Sequence, residues 1–296
     1  MMTPRKQVIS IVGASGFLGR SLHSYLTGRI SAKYEVIGTY FSRNSNNLLY
    51  KLDIRNYKEV EKYILMYKPD YLILTAGTKD IQLCEKDYQY AYSINTKPVE
   101  IISQVIEKNQ LATKFIFFST DYVFDGERGY YRDTDTPEPK TNYGRTKLLA
   151  ENLIRNSGVD FKIVRSAAVM GRGGLFFDWI LEELRNKQEV RVFKNTYFSP
   201  TPIGLLNDMM LKLLIDYKNC NSKIIHIVGE MRLSRYDFVM FLSGYLTGSR
   251  AYIIPEDIDY SRSIFQKDLS LMQSDFVKGN QQKSFEEYIK TELMND

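Results

Sequence analysis

The feature that most constrains the fold is an alternation of short apolar segments with segments of helical spacing over the first 170 residues. Strands are predicted where the sequence reads QVISIVG (7–13), YEVIGTY (34–40), LLYKLDI (48–54), YLILTAG (71–77), KFIFFST (114–120) and FKIVRS (161–166). Helices are predicted between them, at 16–28, 56–68, 90–110 and 141–158. Continuously apolar strands that each precede a helix indicate a parallel sheet covered on both faces. The predicted fold class is therefore α/β, with a Rossmann-type doubly wound parallel sheet.

After about residue 170 the alternation becomes less regular. Helical spacing recurs at 175–187, 202–217, 234–246 and 284–294, and short strands are predicted at 190–194 and 224–228. We expect an NAD(P)-binding Rossmann domain over residues 1–168, to which 203–229 return. Residues 169–202 and 230–296 would form a smaller substrate-binding lobe.

Composition excludes several functional classes. The 296 residues carry 40 basic and 35 acidic side chains, a net charge of +5, with no block of Lys or Arg. This balance predicts no nucleic-acid binding but allows attraction of small anionic substrates. The two cysteines lie far apart and outside metal-ligand spacing, so we expect free thiols in a reducing compartment and no metal site. Without a signal-peptide pattern or an apolar run of ~18–20 residues, a cytoplasmic protein without membrane association is predicted.

Three glycines lie between the first strand and the first helix, in the stretch GASGFLG. Gly13, Gly16 and Gly19 have the spacing G-x-x-G-x-x-G, which permits a tight turn and close approach of a pyrophosphate to helix N–H groups. A tight turn that binds nothing is the alternative. The predicted cofactor-binding residues of this turn are Gly13, Ser15, Gly16, Phe17, Leu18 and Gly19.

The end of the second strand indicates which nicotinamide cofactor binds. No acidic residue that could hold a ribose 2′-hydroxyl occurs between Gly38 and Asn44. Ser42 and Arg43 are placed instead to bind a 2′-phosphate, which favours NADPH over NADH, although Arg43 could also be a solvated loop cation. Asp53 and the following Ile54 could contact the adenine edge of the cofactor. Alternatively, Asp53 could cap the next helix.

A tyrosine and a lysine lie one helical turn apart in YGRTK. Tyr143 and Lys147 share one helix face, and a neighbouring ammonium lowers the pKa of a phenol from about 10. The pair alone is weak evidence, because 22 tyrosines make a chance match expected. Its helix follows a strand that ends in polar residues, so Thr120 is predicted to orient the carbonyl oxygen that Tyr143 protonates. Thr120, Asp121 and Tyr122 are the predicted substrate contacts.

These motifs together resemble an extended short-chain dehydrogenase/reductase, and within that group the dTDP-4-dehydrorhamnose reductase family. The similar segments are GASGFLG, STDYVFDG, TDTPEPKTNYGRTKLLAE, VRSAAVMG, FSPTPIGLL, IIHIVGEMRLSRYDF and SRSIFQKDLSLM. The resemblance implies catalysis by Thr120, Tyr143 and Lys147, with Thr75, Ala76 and Gly77 beside the nicotinamide half of the cofactor. It implies a structural or proton-relay role for Asn95. The implied reaction is reduction of a dTDP-linked 4-keto sugar for rhamnose-containing cell-surface polysaccharide, and the implied assembly is a homodimer.

Three departures from the family pattern concern substrate recognition. Ala167 and Ala168 replace an aromatic that often follows R-T-S, Gln82 stands where an acid is usual, and NTYFSPT replaces the approach to the Pro-Thr stretch. A nucleotide-sugar epimerase with tightly bound NAD therefore stays open as an alternative, as does a catalytically silent regulatory homologue. A dehydratase is disfavoured, because Tyr122 and not a glutamate follows Asp121.

Overall fold

The structure is a computed structural model that describes residues 5–42, 49–246 and 248–294. The strands are β1 Gln7–Val12, β2 Tyr34–Tyr40, β3 Tyr50–Lys51, β4 Tyr71–Leu74, β5 Lys114–Thr120, β6 Phe161–Ser166, β7 Val169–Met170, β8 Val190–Phe193, β9 Tyr197–Phe198, β10 Thr201–Pro202, β11 Ile224–His226, β12 Leu233–Ser234 and β13 Ile253–Glu256. The helices are α1 Phe17–Ile30, α2 Tyr57–Tyr67, α3 Ile81–Lys86, α4 Tyr88–Asn95, α5 Lys97–Lys108, α6 Asn142–Arg155, α7 Leu175–Arg185, α8 Ile203–Ile215, α9 Arg235–Ser243, α10 Asp275–Lys278 and α11 Phe285–Met294.

Seven strands form the central sheet in the order β11-β6-β5-β4-β1-β2-β3. The pairs β1–β2, β1–β4, β2–β3 and β4–β5 are parallel. The order reverses beside β1, which is the arrangement of a doubly wound sheet. The predicted Rossmann-type α/β fold is confirmed.

The chain divides into two compact units. The first comprises Met1–Thr120, Thr141–Val164 and Leu211–Ile224, and the second comprises Asp121–Lys140, Arg165–Met210 and Ile225–Asp296. The boundaries differ from the prediction, because 121–140, 165–168, 203–210 and 225–229 group with the second unit. Residues that directly follow β5 therefore belong to the unit that we expected to bind substrate.

Each unit has its own hydrophobic core. In the first unit, residues of β4, β5 and β6 pack with those of α2, α5 and α6, for example Leu72, Phe115 and Ile102. In the second unit, α7, α9 and α11 bury Phe177, Phe238 and Phe285 together with β8. None of the helices in the described part of the chain combines the length and apolar character that crossing a bilayer requires.

Several helix boundaries depend on capping side chains that the sequence pattern located only approximately. The helix predicted at 90–110, with an interruption at Pro98, is two helices: α4 ends at Asn95, and Pro98 lies in the first turn of α5. Thr141 is the N-cap of α6, where its side chain accepts a hydrogen bond from Gly144 N. Thr141 therefore sets the start of the helix that carries Tyr143 and Lys147.

Candidate active site

The glycine turn between β1 and α1 is tightly packed at two of its three glycines. Gly13 has φ +99°, and a Cβ there would lie 2.6 Å from Ala76 N. A Cβ on Gly19 would overlap Gly13 O and lie 2.6 Å from the hydroxyl of Thr75. These positions need glycine because the turn, the helix and the loop after β4 approach one another closely.

The third glycine has open space beside it. A Cβ on Gly16 would meet nothing closer than Gly13 O at 3.5 Å. Gly16 is the N-cap of α1, no side chain caps this helix end, and its first turn contains no acidic residue. The uncapped N–H groups and the helix dipole suit a phosphate anion. Ser15, Phe17 and Leu18 are partly exposed beside this helix end, so the turn fits the pyrophosphate of a dinucleotide.

The loop after β4 is fixed against the turn and against α6. The Thr75 hydroxyl donates to Val12 O at 3.0 Å. Asn95 is 2% exposed, its Oδ1 accepts from Thr78 N at 2.9 Å, and its Nδ2 lies 3.3 Å from the Thr146 hydroxyl. Both ends of this amide are occupied, which favours the structural interpretation of Asn95. Gly77 is exposed next to it, and Ala76 is partly exposed.

The residues predicted for the adenosine half lie beyond β2 and β3. Ser42 is exposed, and Arg43 lies outside the described residues. Asp53 pairs with Arg55 through two hydrogen bonds of 2.8 and 2.7 Å, which hold the pKa of the Asp53 carboxyl below its usual value. Asn56 and not Asp53 caps α2, so the helix-cap alternative for Asp53 is wrong. Ile54 packs against the core of the first unit.

Strand β5 brings polar side chains to its carboxyl end. Ser119 and Thr120 are each 6% exposed, after four apolar residues that fill the core. The Ser119 hydroxyl is buried and makes no hydrogen bond within the described part of the chain. A buried hydroxyl without a partner is unfavourable, so this strand end has hydrogen-bonding capacity that the protein itself does not use.

Helix α6 places Lys147 at the same strand end. The Lys147 amine is buried, donates to Phe118 O at 2.6 Å and lies 4.0 Å from the centroid of the Phe117 ring. Tyr143 lies one turn earlier on α6 and is partly exposed. Thr120, Tyr143 and Lys147 all belong to the first unit, and the bond to Phe118 links the lysine to β5 two residues before Thr120.

The charge of Lys147 responds to its burial. Removal of the amine from water lowers its pKa to about 7, and the carboxylate of Glu151, one turn further along α6, opposes this shift. Glu151 is itself fully buried. An ammonium with a pKa of about 7 loses its proton as the pH rises through neutrality.

Two of the predicted substrate contacts are the first residues of the second unit. Asp121 and Tyr122 lie in a 3₁₀ turn, Asp121–Val123, that directly follows Thr120, and Asp121 is 5% exposed. Both interact electrostatically with Arg235, the first residue of α9. Arg235 was not among the residues predicted from the sequence. A signal was available, since this cation directly follows Ser234, a helix N-cap, in the family segment MRLSRYDF.

His226, Ala167 and Ala168 lie in or against the protein core. Burial, followed by the charge of Arg165, lowers the pKa of fully buried His226 to about 3. Ala167 is buried, and Ala168 packs against the core of the second unit. Within the described ranges, no cluster of three His, Cys, Asp or Glu side chains could hold a metal ion.

The family follows from comparison with known sequences. A family model described as RmlD substrate binding domain matches residues 7–256. The chain belongs to this family. The family resemblance expected from the motifs is thereby confirmed, and the match spans β1 to β13, including the glycine turn, β5 and α6.

Individual known proteins are similar to this chain over most of their length. The chain is 33% identical over 232 residues to the spore coat polysaccharide biosynthesis protein SpsK of Bacillus subtilis, covering 78% of this chain and 76% of SpsK. It is 30% identical over 235 residues to the dTDP-4-dehydrorhamnose reductase of Aggregatibacter actinomycetemcomitans, with the same two coverages. A crystal structure of dTDP-4-dehydrorhamnose reductase from Bacillus anthracis in complex with NADP superposes with a TM-score of 0.84 at 21% identity, covering 99% of this chain and 100% of that one.

Proposed function

We propose that this protein uses NADPH to reduce the 4-keto group of a nucleotide-linked deoxysugar, in the synthesis of a cell-surface polysaccharide. The observation that carries the proposal is the placement of Lys147 at the carboxyl end of β5, one helical turn from Tyr143 and beside the strand that ends at Thr120. The names of the two relatives, a polysaccharide biosynthesis protein and a dTDP-4-dehydrorhamnose reductase, support the same substrate class.

Tyr143 acts as the proton donor. Its phenol gives a proton to the carbonyl oxygen as that oxygen gains negative charge, and its partial exposure leaves it accessible to a substrate. The Thr120 hydroxyl donates a hydrogen bond to the same oxygen, which orients the carbonyl and stabilises the developing charge. The product is the corresponding alcohol.

Lys147 makes the phenol a competent acid at neutral pH. A positive charge one helical turn from Tyr143 favours the phenolate and so lowers the pKa of the donor. The buried position, with one hydrogen bond to Phe118 O, holds the ammonium in a region of low dielectric, where its charge acts more strongly than in water.

The glycine turn binds the cofactor, with Thr75, Ala76 and Gly77 beside its nicotinamide half. Bound NADPH supplies the hydride that reduces the carbonyl carbon. Gly16 and the uncapped start of α1 receive the pyrophosphate, while Ser42, Arg43, Asp53 and Ile54 remain the candidates for the adenosine half. NADP in the similar Bacillus anthracis structure supports the choice of NADPH over NADH.

Asp121 and Tyr122 contact the sugar nucleotide, since they follow Thr120 directly. A cytoplasmic location, which rests on the cysteine usage and sequence pattern, and a homodimer, which rests on the family resemblance, are further proposals. Neither is required for the chemistry at Tyr143.

The function is tested by incubating the purified protein with NADPH and a panel of 4-keto-6-deoxy sugar nucleotides while nicotinamide absorbance is recorded. Stoichiometric oxidation of NADPH by one member of the panel is expected. Interconversion of sugars by protein that retains bound NAD, without net oxidation, would replace the reductase with an epimerase. Binding without turnover would replace it with a catalytically silent homologue.

A further inference from the structure

One peptide unit of the turn between β1 and α1, the bond from Val12 to Gly13, is held at both ends by side-chain hydroxyls. Its carbonyl oxygen, Val12 O, accepts from the Thr75 hydroxyl at 3.0 Å. Its amide, Gly13 N, donates to the Thr39 hydroxyl at 3.1 Å. Thr39 belongs to β2 and Thr75 directly follows β4, so the two hydroxyls reach this peptide from the strands on either side of β1.

The two ends of this peptide depend on the hydroxyls to different degrees. Val12 O also accepts from Thr75 N at 2.9 Å and from Ala76 N at 3.0 Å, so it keeps partners without the Thr75 hydroxyl. The pairing of β1 with β2 ends before Gly13, and the Thr39 hydroxyl is the one acceptor that Gly13 N has among the described residues. Loss of that hydroxyl would leave a part-buried N–H without a partner, which is unfavourable.

The Thr39 hydroxyl reaches the turn because β2 lies directly against it. A Cβ on the preceding Gly38 would lie 2.6 Å from the Cβ of Ala14, so glycine is needed for this approach. Thr39 is 1% exposed. A cofactor bound at the surface of the turn cannot contact so deeply buried a residue, so an effect of Thr39 on binding has to act through Gly13.

Gly13 connects Thr39 to the start of α1. Its carbonyl oxygen accepts from Gly16 N at 3.1 Å, and Gly16 is the N-cap of this helix. A Cβ on Gly19 would overlap Gly13 O, so the first turn of α1 packs directly on that carbonyl. The orientation of Gly13 therefore fixes the uncapped N–H groups of α1 that suit a phosphate.

We propose that Thr39 is a positioning residue for the cofactor: by holding Gly13 N, it preorganises the glycine turn for the pyrophosphate of NADPH. This inference rests on the proposed function for the identity of the ligand. A binding loop that is already ordered gives higher affinity, because less conformational freedom is lost on binding. Removal of the Thr39 hydroxyl therefore raises the Kd for NADPH.

Equilibrium titrations with NADPH and with adenosine 2′-phosphate test the assignment without any turnover. Thr39→Val keeps the shape of the side chain but removes the acceptor, whereas Thr39→Ser keeps the hydroxyl. Adenosine 2′-phosphate lacks the pyrophosphate, so it reports on the adenosine half of the cofactor alone. Thermal unfolding of each variant shows whether the fold is retained.

Thr113→Val is the matched control. Thr113 is a threonine of the same unit, 3% exposed, whose hydroxyl donates to Pro69 O at 2.7 Å. It directly precedes β5 and so lies at the amino end of the sheet, away from the glycine turn. Its substitution removes a buried hydroxyl of the same kind without touching the turn.

We expect Thr39→Val to weaken NADPH binding ~10-fold, with the affinity for adenosine 2′-phosphate unchanged. Thr39→Ser should bind NADPH nearly as wild type does. Thr113→Val should unfold at a lower temperature but bind NADPH with wild-type affinity.

The assignment would be overturned by wild-type NADPH affinity in Thr39→Val, or by an equal loss of affinity in Thr39→Ser or in Thr113→Val. A parallel loss of affinity for adenosine 2′-phosphate, or a Thr39→Val protein that does not fold, would assign Thr39 to the fold and also overturn it. A wild type that binds no NADPH would overturn it together with the choice of cofactor. The expected loss in Thr39→Val, in a protein that reduces no sugar, would refute the proposed function and leave the role of Thr39 intact.

Discussion

The two ends of the parallel sheet in the first unit use buried lysines in different ways. At the amino end, Lys162 is 3% exposed and donates to two backbone carbonyls, those of Cys220 and Ser222. At the carboxyl end, Lys147 is 6% exposed and donates to one, Phe118 O. Burial lowers the pKa of both amines. The two ends differ in whether the surrounding polar groups already have hydrogen-bond partners within the protein.

A cavity at the amino end shows that concavity alone does not make a site. Its volume is about 580 Å³, and it is lined by Ile106, Glu107, Gln110, Leu111, Ala112, Thr113, Lys114, Gly158, Val159 and Asp160. Three of its polar side chains have partners within the protein. Glu107 accepts from Gly158 N at 2.5 Å, Asp160 pairs with Lys223 at 3.2 Å, and the Thr113 hydroxyl donates to Pro69 O at 2.7 Å.

At the carboxyl end of the sheet, by contrast, some polar groups have no partner among the described residues. The Ser119 hydroxyl has no partner within the described residues, and the first turn of α1 has no capping side chain. Parallel strands bind ligands at this end because loops and helix N-termini converge there. The comparison therefore predicts that changes at the carboxyl end reduce activity, whereas changes at the amino end reduce stability.

The largest difference is expected between the two lysines. Lys147→Met should lower kcat/KM for the sugar substrate about 10²- to 10³-fold at pH 7, because it removes the charge that assists Tyr143. Lys162→Met should leave kcat near wild type. It should lower the free energy of unfolding by about 1–3 kcal/mol, because the buried carbonyl of Cys220 and the partly buried carbonyl of Ser222 lose their donor. Steady-state kinetics and denaturant unfolding of both variants check this pair, and equal losses of activity would remove the distinction between the two ends.

A smaller effect is expected at the glycine turn. Gly16→Asp places a preferred capping residue at the start of α1, so stability should hold or rise, while its charge should weaken NADPH binding about 100-fold. Gly16→Asn has a similar shape without the charge and should weaken binding less. Gly28→Ala is the control within α1, since a Cβ at Gly28 meets nothing within 4 Å. It should raise stability by about 0.5–1 kcal/mol with unchanged cofactor affinity. If Gly16→Asp bound NADPH with wild-type affinity, the pyrophosphate would have to bind elsewhere.

The smallest expected effect is the dependence of kcat/KM on pH. Since burial lowers the pKa of Lys147 to about 7, kcat/KM should fall above pH 7, approaching tenfold per unit, as the amine loses its charge. Between this pKa and 10.5, the unfolded chain holds a proton that the folded chain has lost. The contribution of Lys147 to the free energy of unfolding therefore rises over this window while activity falls. Rate and unfolding measurements from pH 6 to 9 check both directions, and a flat rate profile would contradict the role of Lys147.

Much of the first unit could be predicted from the sequence because its elements are long and periodic. The strands β2, β5 and β6 have the predicted bounds, because short, mostly apolar segments between helices are typical of the inner strands of a covered parallel sheet. The two-residue strands β7, β9, β10 and β12 were not predicted, because they are too short to show a period. Helix α3 was missed for the same reason.

The candidate site was predictable only in part. Tyr143, Lys147 and Thr120 could be found because spacing along one helix and one strand end is visible in the sequence. Arg235 could not be selected in that way. Its ring contacts are with Phe176 and Phe198, which come from α7 and β9 far away in sequence. The grouping of 121–140 with the second unit likewise depends on long-range pairing, such as the bond from Tyr131 N to Ser270 O.

Comparison of Tyr143→Phe with wild type tests the central claim most directly, using the sugar nucleotide that wild type reduces and a separate titration with NADPH. The phenyl ring preserves the packing of Tyr143 but cannot donate a proton. The account predicts a kcat lower by about 10²- to 10⁴-fold, with the Kd for NADPH within about twofold of wild type. A Tyr143→Phe protein that turns over at the wild-type rate would contradict proton donation by this residue.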